Sequence, residues 1–339
     1  MRIGKNPTLH QTLDLDKYNH QVVIPVYIPN FDGYFKDVFS ILKICLNSLE
    51  KTTSKNTFIT IVNNGSCSEV SSYLNDMLSK HIIQELIHTS NIGKNKAIIK
   101  GVSGHNFKLI TIADSDVLFL SNWQKETLKI FNEFPKASVV GLVPQFNIFK
   151  GLSFNLIYDN FFSKKLKFTK VKNPKSLALF YKSIGWENDY NKNYLKYILT
   201  LTSKNGLRAV VGSGHFVATY KKQAIDIGFN GIIENGLSPK YDRELLDKPS
   251  LKLDLWRLTT NENLAFHMGN IKEHWMHNQL DKIQSESGNL EYNFNNSKKN
   301  KILSHYLKNH IFRNIFQNTY FFRIFLRFKG LPKDITKNY

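Results

Sequence analysis

An α/β fold built on a mainly parallel sheet is what this sequence predicts, and three observations carry that expectation. Strand-like and helix-like segments alternate through the first half of the 339 residues. Asn- and Gly-bearing turns follow strands at 63–66 and 91–94. The run 109–120, LITIADSDVLFL, is an apolar strand interrupted by two carboxylates, Asp114 and Asp116. Alternation argues for right-handed βαβ units, and such sheets bind ligands beyond the carboxyl ends of their strands. The three polar turns therefore gather at one rim.

Taken in order, residues 21–28 (QVVIPVYI) read as a strand and 38–50 show helical periodicity. Residues 57–62 (TFITIV) form a second strand that runs into Asn63-Asn64-Gly65-Ser66, a strong turn sequence. A helix over 68–80 has Ser68 as its candidate cap; a short strand at 82–88 and a Lys-rich helix at 94–101 follow. Beyond the carboxylate-bearing strand, 121–145 suggest a helix and a strand near 138–144. The pattern then loosens over 145–205 into an aromatic, Lys-rich insertion with a helical part near 190–202. Regular structure resumes at 207–220.

Side chains two apart on a strand share a side, so Asp114 and Asp116 point the same way. Burying two carboxylates together is costly unless a cation or hydrogen-bond donors compensate. Paired hard oxygens there suit Mg²⁺ or Mn²⁺ carrying a phosphate. The alternative is a strand-end turn in which the aspartates only cap backbone amides.

The formal charge of +19 points to anionic partners: nucleotide phosphates, anionic lipid or nucleic acid. Cys45 and Cys67 sit in patterns that suit neither a disulfide nor a metal site. The opening residues lack the apolar stretch of a signal peptide, and no uncharged apolar run reaches the about 18 residues of a membrane span. A cytoplasmic location follows as the expectation. Residues 299–329 are helical in pattern, with Arg313, Arg323 and Arg327 within an arc of roughly 80°. That layout suits a helix at an anionic membrane surface; a helix packed on the domain with solvated arginines is the alternative.

Together these pieces resemble the GT-A fold glycosyltransferases, and most closely the inverting family 2. The opening strand with Pro25, then Tyr27-Ile28-Pro29-Asn30, is similar to that family's start, which lies beside the nucleoside. Ile61-Val62-Asn63-Asn64-Gly65-Ser66 resembles its Val-Asp-Asp/Asn-Gly-Ser segment, and Asn91-Ile92-Gly93-Lys94 with Ala97 its Asn-x-Gly-x-x-x-Ala element. Asp114-Ser115-Asp116 matches its metal-binding Asp-x-Asp. One departure is Asn63, which stands where the family usually has a nucleobase-contacting aspartate. An amide donates as well as accepts hydrogen bonds, so a UDP-sugar is expected less firmly.

Fainter echoes follow. Gly212-Ser213-Gly214-His215-Phe216 resembles the acceptor-side segment, Tyr241-Asp242-Arg243-Glu244-Leu245 the late acidic motif, and His267-Met268-Gly269 the late His-x-Gly. The resemblance implies Asp242 as catalytic base, with Glu244 second and Glu234 and Asp247 as fallbacks. It implies Asp116, Asp114 and His267 as ligands of Mn²⁺ or Mg²⁺. It places Pro25, Tyr27, Asn63, Asn64, Asn91, Gly93, Lys94, Asp114 and Ser115 around the nucleotide sugar, and Gly214 and His215 on the acceptor side. Residues 1–275 would be the catalytic domain, with a nucleotide-binding half at about 20–120, an acceptor half at 121–275 and the 145–205 insertion; 276–339 would be a helical extension.

The chemistry implied is metal-dependent, inverting transfer of a sugar from a nucleotide diphosphate sugar to a glycan or lipid-linked acceptor. Surface polysaccharide synthesis on the inner face of the cytoplasmic membrane is the expected setting. A sugar nucleotidyltransferase is a rival, but Pro29-Asn30-Phe31-Asp32-Gly33 lacks the basic Gly-rich loop that chemistry uses. A nucleic-acid-binding protein is another; its aromatic motifs and zinc spacings are missing, so no nucleic acid is expected. Ser213 lacks the glycine pattern of a nucleophile elbow, and His274 and His277 have no supporting carboxylate.

Overall fold

The computed structural model describes residues 17–187, 189–235, 243–286, 288–291, 307–337 and 339. Four strands open the sheet: β1 (His20–Val26), β2 (Thr57–Asn64), β3 (Glu85–Thr89) and β4 (Leu109–Ala113). They lie in the order β3-β2-β1-β4, all parallel. Between them run α1 (Val38–Thr52), α2 (Ser68–Ser79) and α3 (Lys94–Val102). Every residue of β2 and β4 is buried, as a sheet covered on both faces requires. In α1, Ile41, Leu42, Cys45 and Leu49 are buried, the one-sided spacing of a helix seated on a sheet. Burial of each of the three aliphatic side chains contributes roughly 1.5–3 kcal/mol. The cap of α2 is Cys67 and not Ser68, which is the first helical residue and caps nothing through its side chain.

The second half of the sheet is mixed. β10 (Val217–Lys221) pairs antiparallel with both β4 and β6 (Ala137–Gly141), while β11 (Trp256–Thr260) runs parallel to β6. Beyond β11 come β9 (Arg208–Val211), β8 (Tyr197–Thr202) and β7 (Leu166–Lys170), each antiparallel to its neighbour. The helix expected near 190–202 is thus a short 3₁₀ turn, Lys192–Leu195, followed by strand β8. Buried Ile198, Leu199, Thr200 and Leu201 are better used between two partner strands than on one helix face. The 145–205 segment accordingly extends the main sheet. A two-stranded ribbon of β5 (Val117–Phe119) and β12 (Ala265–His267) sits apart from it.

The carboxyl-terminal residues pack on this second half. Phe316, Phe325, Leu326, Leu331, Ile335 and Tyr339 join a core with Phe149, Phe154, Leu156 and Phe168. Lys308 fastens the segment through Asp159 (2.7 Å) and Asp254 (2.6 Å). The arginines do not share one helix. Asn318 is extended, and its side chain accepts from Tyr320 and Phe321 amides, ending the helix Arg313–Gln317 and starting Thr319–Phe328. The continuous arc expected of Arg313, Arg323 and Arg327 is therefore broken. Among the described residues no helix is long and apolar enough to cross a membrane.

Candidate active site

The predicted turns meet at the carboxyl ends of β1, β2 and β4, around a cleft of about 370 Å³. Pro25, Tyr27, Asn64, Asn91, Lys94, Asp114, Ser115 and Asp116 line it. Their placement is knit by short bonds between loops. The Asn64 carbonyl oxygen accepts from the Ile92 amide (2.9 Å) and Thr89 hydroxyl (3.2 Å), and its amide donates to Asn91 (3.3 Å). The Ile28 amide donates to Ser66 Oγ (3.1 Å), and the Cys67 amide to Ile28 O (2.9 Å). Gly65 has φ +87, and a Cβ there would stand 2.7 Å from the Asn91 nitrogen. Glycine is what lets these two turns touch.

Two predicted residues lie elsewhere. Asn63 is buried, donating to Ser71 (2.8 Å) and contacting His88 (3.0 Å), while its carbonyl accepts from the Ser66 amide (3.1 Å). Its hydrogen bonds are spent inside the fold, and Asn64 faces the cleft instead. Gly93 caps α3 at φ +84 and delivers Lys94 to the first turn without itself lining the cleft. The cleft also gains residues the sequence did not single out: Tyr34, Phe35 and Asn270. Tyr27 and Tyr34 each pack edge-on against Phe35, forming an aromatic wall. Asn270 is bound to Tyr34 O (3.1 Å).

Asp114 is ion-paired with Lys94. Asp116 is more deeply set, and its Oδ1 is buried with no hydrogen-bond partner. Burial, and then the negative charge of Asp114, push its carboxyl above the usual range against the pull of His267. The β5–β12 ribbon brings that histidine in: His267 registers with Val117, and the Met268 amide donates to Asp116 O (2.8 Å). His267 Nε2 stands 3.4 Å from Asp116 Oδ2. Its Nδ1 lies 2.9 Å from Ser183 Oγ, whose proton goes to Phe180 O (2.7 Å). Ser183 then accepts from Nδ1–H, which turns Nε2 toward Asp116. An orphaned buried carboxylate oxygen beside an imidazole nitrogen is a donor set that fits a divalent cation. Among the described residues, no three His, Cys, Asp or Glu side chains converge on one point as they stand; Asp114 is held by Lys94.

A second cleft of about 370 Å³ opens on the other side of His267. Gln145, Ser213, Gly214, His215, Asp247 and Arg257 line it, so the predicted acceptor-side pair is present. Asp247 bonds Arg257 (2.7 Å) and faces His215 Nδ1 (3.4 Å). Burial alone would raise its carboxyl, but Arg257 and His215 override this and hold it below the ordinary carboxylate range. Arg257 also donates to Ser213 O (2.6 Å) and Leu246 O (2.9 Å), clamping the 243–247 turn to β11. Glu244 pairs with Lys248 and does not line this cleft. Asp242 lies outside the described residues, as does the side chain of Glu234.

The parallel half of the sheet thus ends in a rim carrying Asp114 and Asp116. Residues 22–182 match the family model described as glycosyl transferase family 2. Over that span the chain is similar to a family 2 glycosyltransferase domain, carried on a mixed α/β fold. No curated protein matches it. Among solved structures it is similar to a mannosyltransferase, PcManGT of Pyrobaculum calidifontis in complex with GDP-Man and Mn²⁺, at 12% identity and a TM-score of 0.42, over 77% of this chain and 59% of that one. It is also similar to S. aureus TarS 1–349 in complex with UDP-GlcNAc, at 12% identity and a TM-score of 0.40, over 76% and 60% of the respective chains. The chain thus spans about 59% and 60% of the lengths of these two proteins. Likenesses this distant speak to neither donor nor acceptor.

Proposed function

We propose that this protein transfers a sugar, with inversion, from a nucleotide diphosphate sugar to a glycan or lipid-linked acceptor in surface polysaccharide synthesis. The observation that carries the reading is the Asp116–His267 pair, which stands where the two clefts meet. Asp116 and His267, joined by Asp114 once Lys94 turns to the donor, would hold Mn²⁺ or Mg²⁺. Such an ion supplies charge compensation for the leaving diphosphate. Lys94, at the amino end of α3, adds a cationic contact there. Tyr27, Tyr34 and Phe35 offer rings for a base, and the inward-turned Asn63 leaves the choice of base to Asn64 and the loop backbone.

The acceptor hydroxyl must lose a proton as it attacks C1. Asp247 is a poor base, because Arg257 and His215 stabilise its charged form; catalysis favours a pKa nearer the working pH. Its bonds suit it to shaping the cleft. Asp242, five residues earlier, is the base in this reading, on the strength of the motif. The acceptor's membrane setting rests on exposed apolar side chains of the carboxyl-terminal helices. Tyr320, Ile324 and Phe328 recur every four residues, flanked by exposed Arg323 and Arg327. That face would rest on the anionic inner leaflet.

Release of nucleoside diphosphate from a panel of nucleotide sugars with Mn²⁺ tests the reading. One donor should be consumed by the wild type and spared by Asp116→Ala. Equal release by both proteins would sink it. Co-sedimentation with anionic vesicles should fall on Ile324→Ser/Phe328→Ser; unchanged sedimentation would defeat the membrane clause.

A further inference from the structure

A third cleft, of about 360 Å³, adjoins the acceptor side and shares Gly151 and Leu152 with it. We propose that this cleft, built by Lys150, Arg243, Lys248, Lys252, His310 and Arg313, binds a phosphoryl group carried by the acceptor. The inference rests on the glycosyltransferase reading and names the acceptor's chemical class.

Charge is the first ground. Five Lys or Arg side chains line the cleft and, among the described residues, no Asp or Glu does. The other two clefts both carry acids: Lys94 is outnumbered by Asp114 and Asp116 in one, and Arg257 is matched by Asp247 in the other. A general surplus of lysine therefore does not account for the third. Like charges gathered on a concave wall repel one another and concentrate anions. The cations come from three separate parts of the chain: the turn at 150, the 243–252 segment and the helices at 307–317. Folding is what brings them together.

Local compensation is partial. Lys248 pairs with Glu244. Lys150 Nζ donates to Tyr339 O (2.7 Å), and burial lowers its ammonium to about 8, a cost that a bound anion would offset. Arg313 lies over the Phe154 ring at 5.8 Å, which orients its guanidinium without neutralising it. Leu152, Phe154 and Leu251 complete the wall, giving apolar surface for whatever the phosphate is esterified to. The same helical segment exposes Leu307, Ile311 and Ile315, while His310, Arg313 and Gln317 line the cleft. A phosphoryl group seated here would place the rest of the acceptor in the cleft that ends at His267.

The test measures binding of inorganic pyrophosphate to the full chain in EDTA, which keeps metal-dependent diphosphate binding at Asp116 out of the signal. The wild type should bind, more weakly as salt rises. Lys252→Glu/Arg313→Ala should bind at least about tenfold more weakly, while Mn²⁺-dependent thermal stabilisation by nucleoside diphosphate persists. A parallel arm uses vesicles containing phosphatidic acid. Loss of vesicle binding in the double variant assigns the phosphoryl group to a lipid, and unchanged vesicle binding with lost pyrophosphate binding assigns it to a soluble glycan phosphate. No pyrophosphate binding by the wild type, or equal binding by both proteins, overturns the proposal. Failure of the underlying reading shows differently: pyrophosphate binding would still depend on Lys252 and Arg313, but no nucleotide would stabilise the wild type. The assignment to an acceptor would then fall with it.

Discussion

The cleft beside Asp114 and the cleft beside His215 are of equal volume and adjoin at the Asp116–His267 pair, yet they are built in opposite ways. The first is drawn from turns that follow consecutive parallel strands, each carrying its residues in a short contiguous motif. The second collects single residues from Gln145 to His267, brought together by antiparallel pairing and by Arg257. A cleft of the first kind is largely a property of local sequence. A cleft of the second kind is a property of tertiary structure, and can change without disturbing the first.

Substitutions that separate the two clefts sharpen this contrast. Asp242→Asn should lower sugar transfer by roughly 10²–10⁴-fold, the usual worth of a general base, with nucleotide binding intact. The same loss from Asp247→Asn, with Asp242→Asn silent, would move the base to the residue seen in the cleft. The closed end of the donor half gives a stability counterpart. His20 is fully buried, its Nδ1 accepting from Gln124 (2.9 Å) and its Nε2 donating to Thr111 (2.7 Å), and burial lowers its pKa to about 3. A folded pKa below the unfolded value near 6.5 makes stability full above that value and lost progressively as pH falls. Between pH 7 and 5 the loss should be about 2 kcal/mol, roughly thirtyfold in the folding equilibrium. Urea midpoints at the two pH values check it, and equal midpoints would contradict a neutral buried imidazole. Smaller still, Lys94→Ala should weaken donor binding about tenfold, with little effect on a competing acceptor analogue. A loss confined to the acceptor would break the division between the clefts.

The same contrast explains what could be read in advance. Strands β1, β2 and β4 and helices α1 and α3 were legible because their apolar periods are clean and their turns carry Asn, Gly or Asp. Tyr34, Phe35 and Asn270 were not, since nothing in an aromatic's local sequence says which cleft it will wall. Ser183 fixes the tautomer of a histidine 84 residues away; no spacing rule could have linked them. Asn63 and Asn64 were indistinguishable in sequence, and strand alternation alone decides which faces the ligand. The strand at 197–202 was hidden because Ile, Leu and Thr serve a helix or an inner strand equally until neighbouring strands are present. Helix periodicity ran through Asn318, whose side chain in fact caps a new helix.

The central claim is that Asp116 and His267 make the rim between the clefts a metal-dependent nucleotide site. Thermal unfolding of the full chain with a panel of nucleoside diphosphates, with and without Mn²⁺, tests it most directly. At least one nucleotide should raise the midpoint of the wild type only when Mn²⁺ is present, and Asp116→Ala should abolish that rise. Stabilisation that ignores the metal, or that survives in Asp116→Ala, would contradict it.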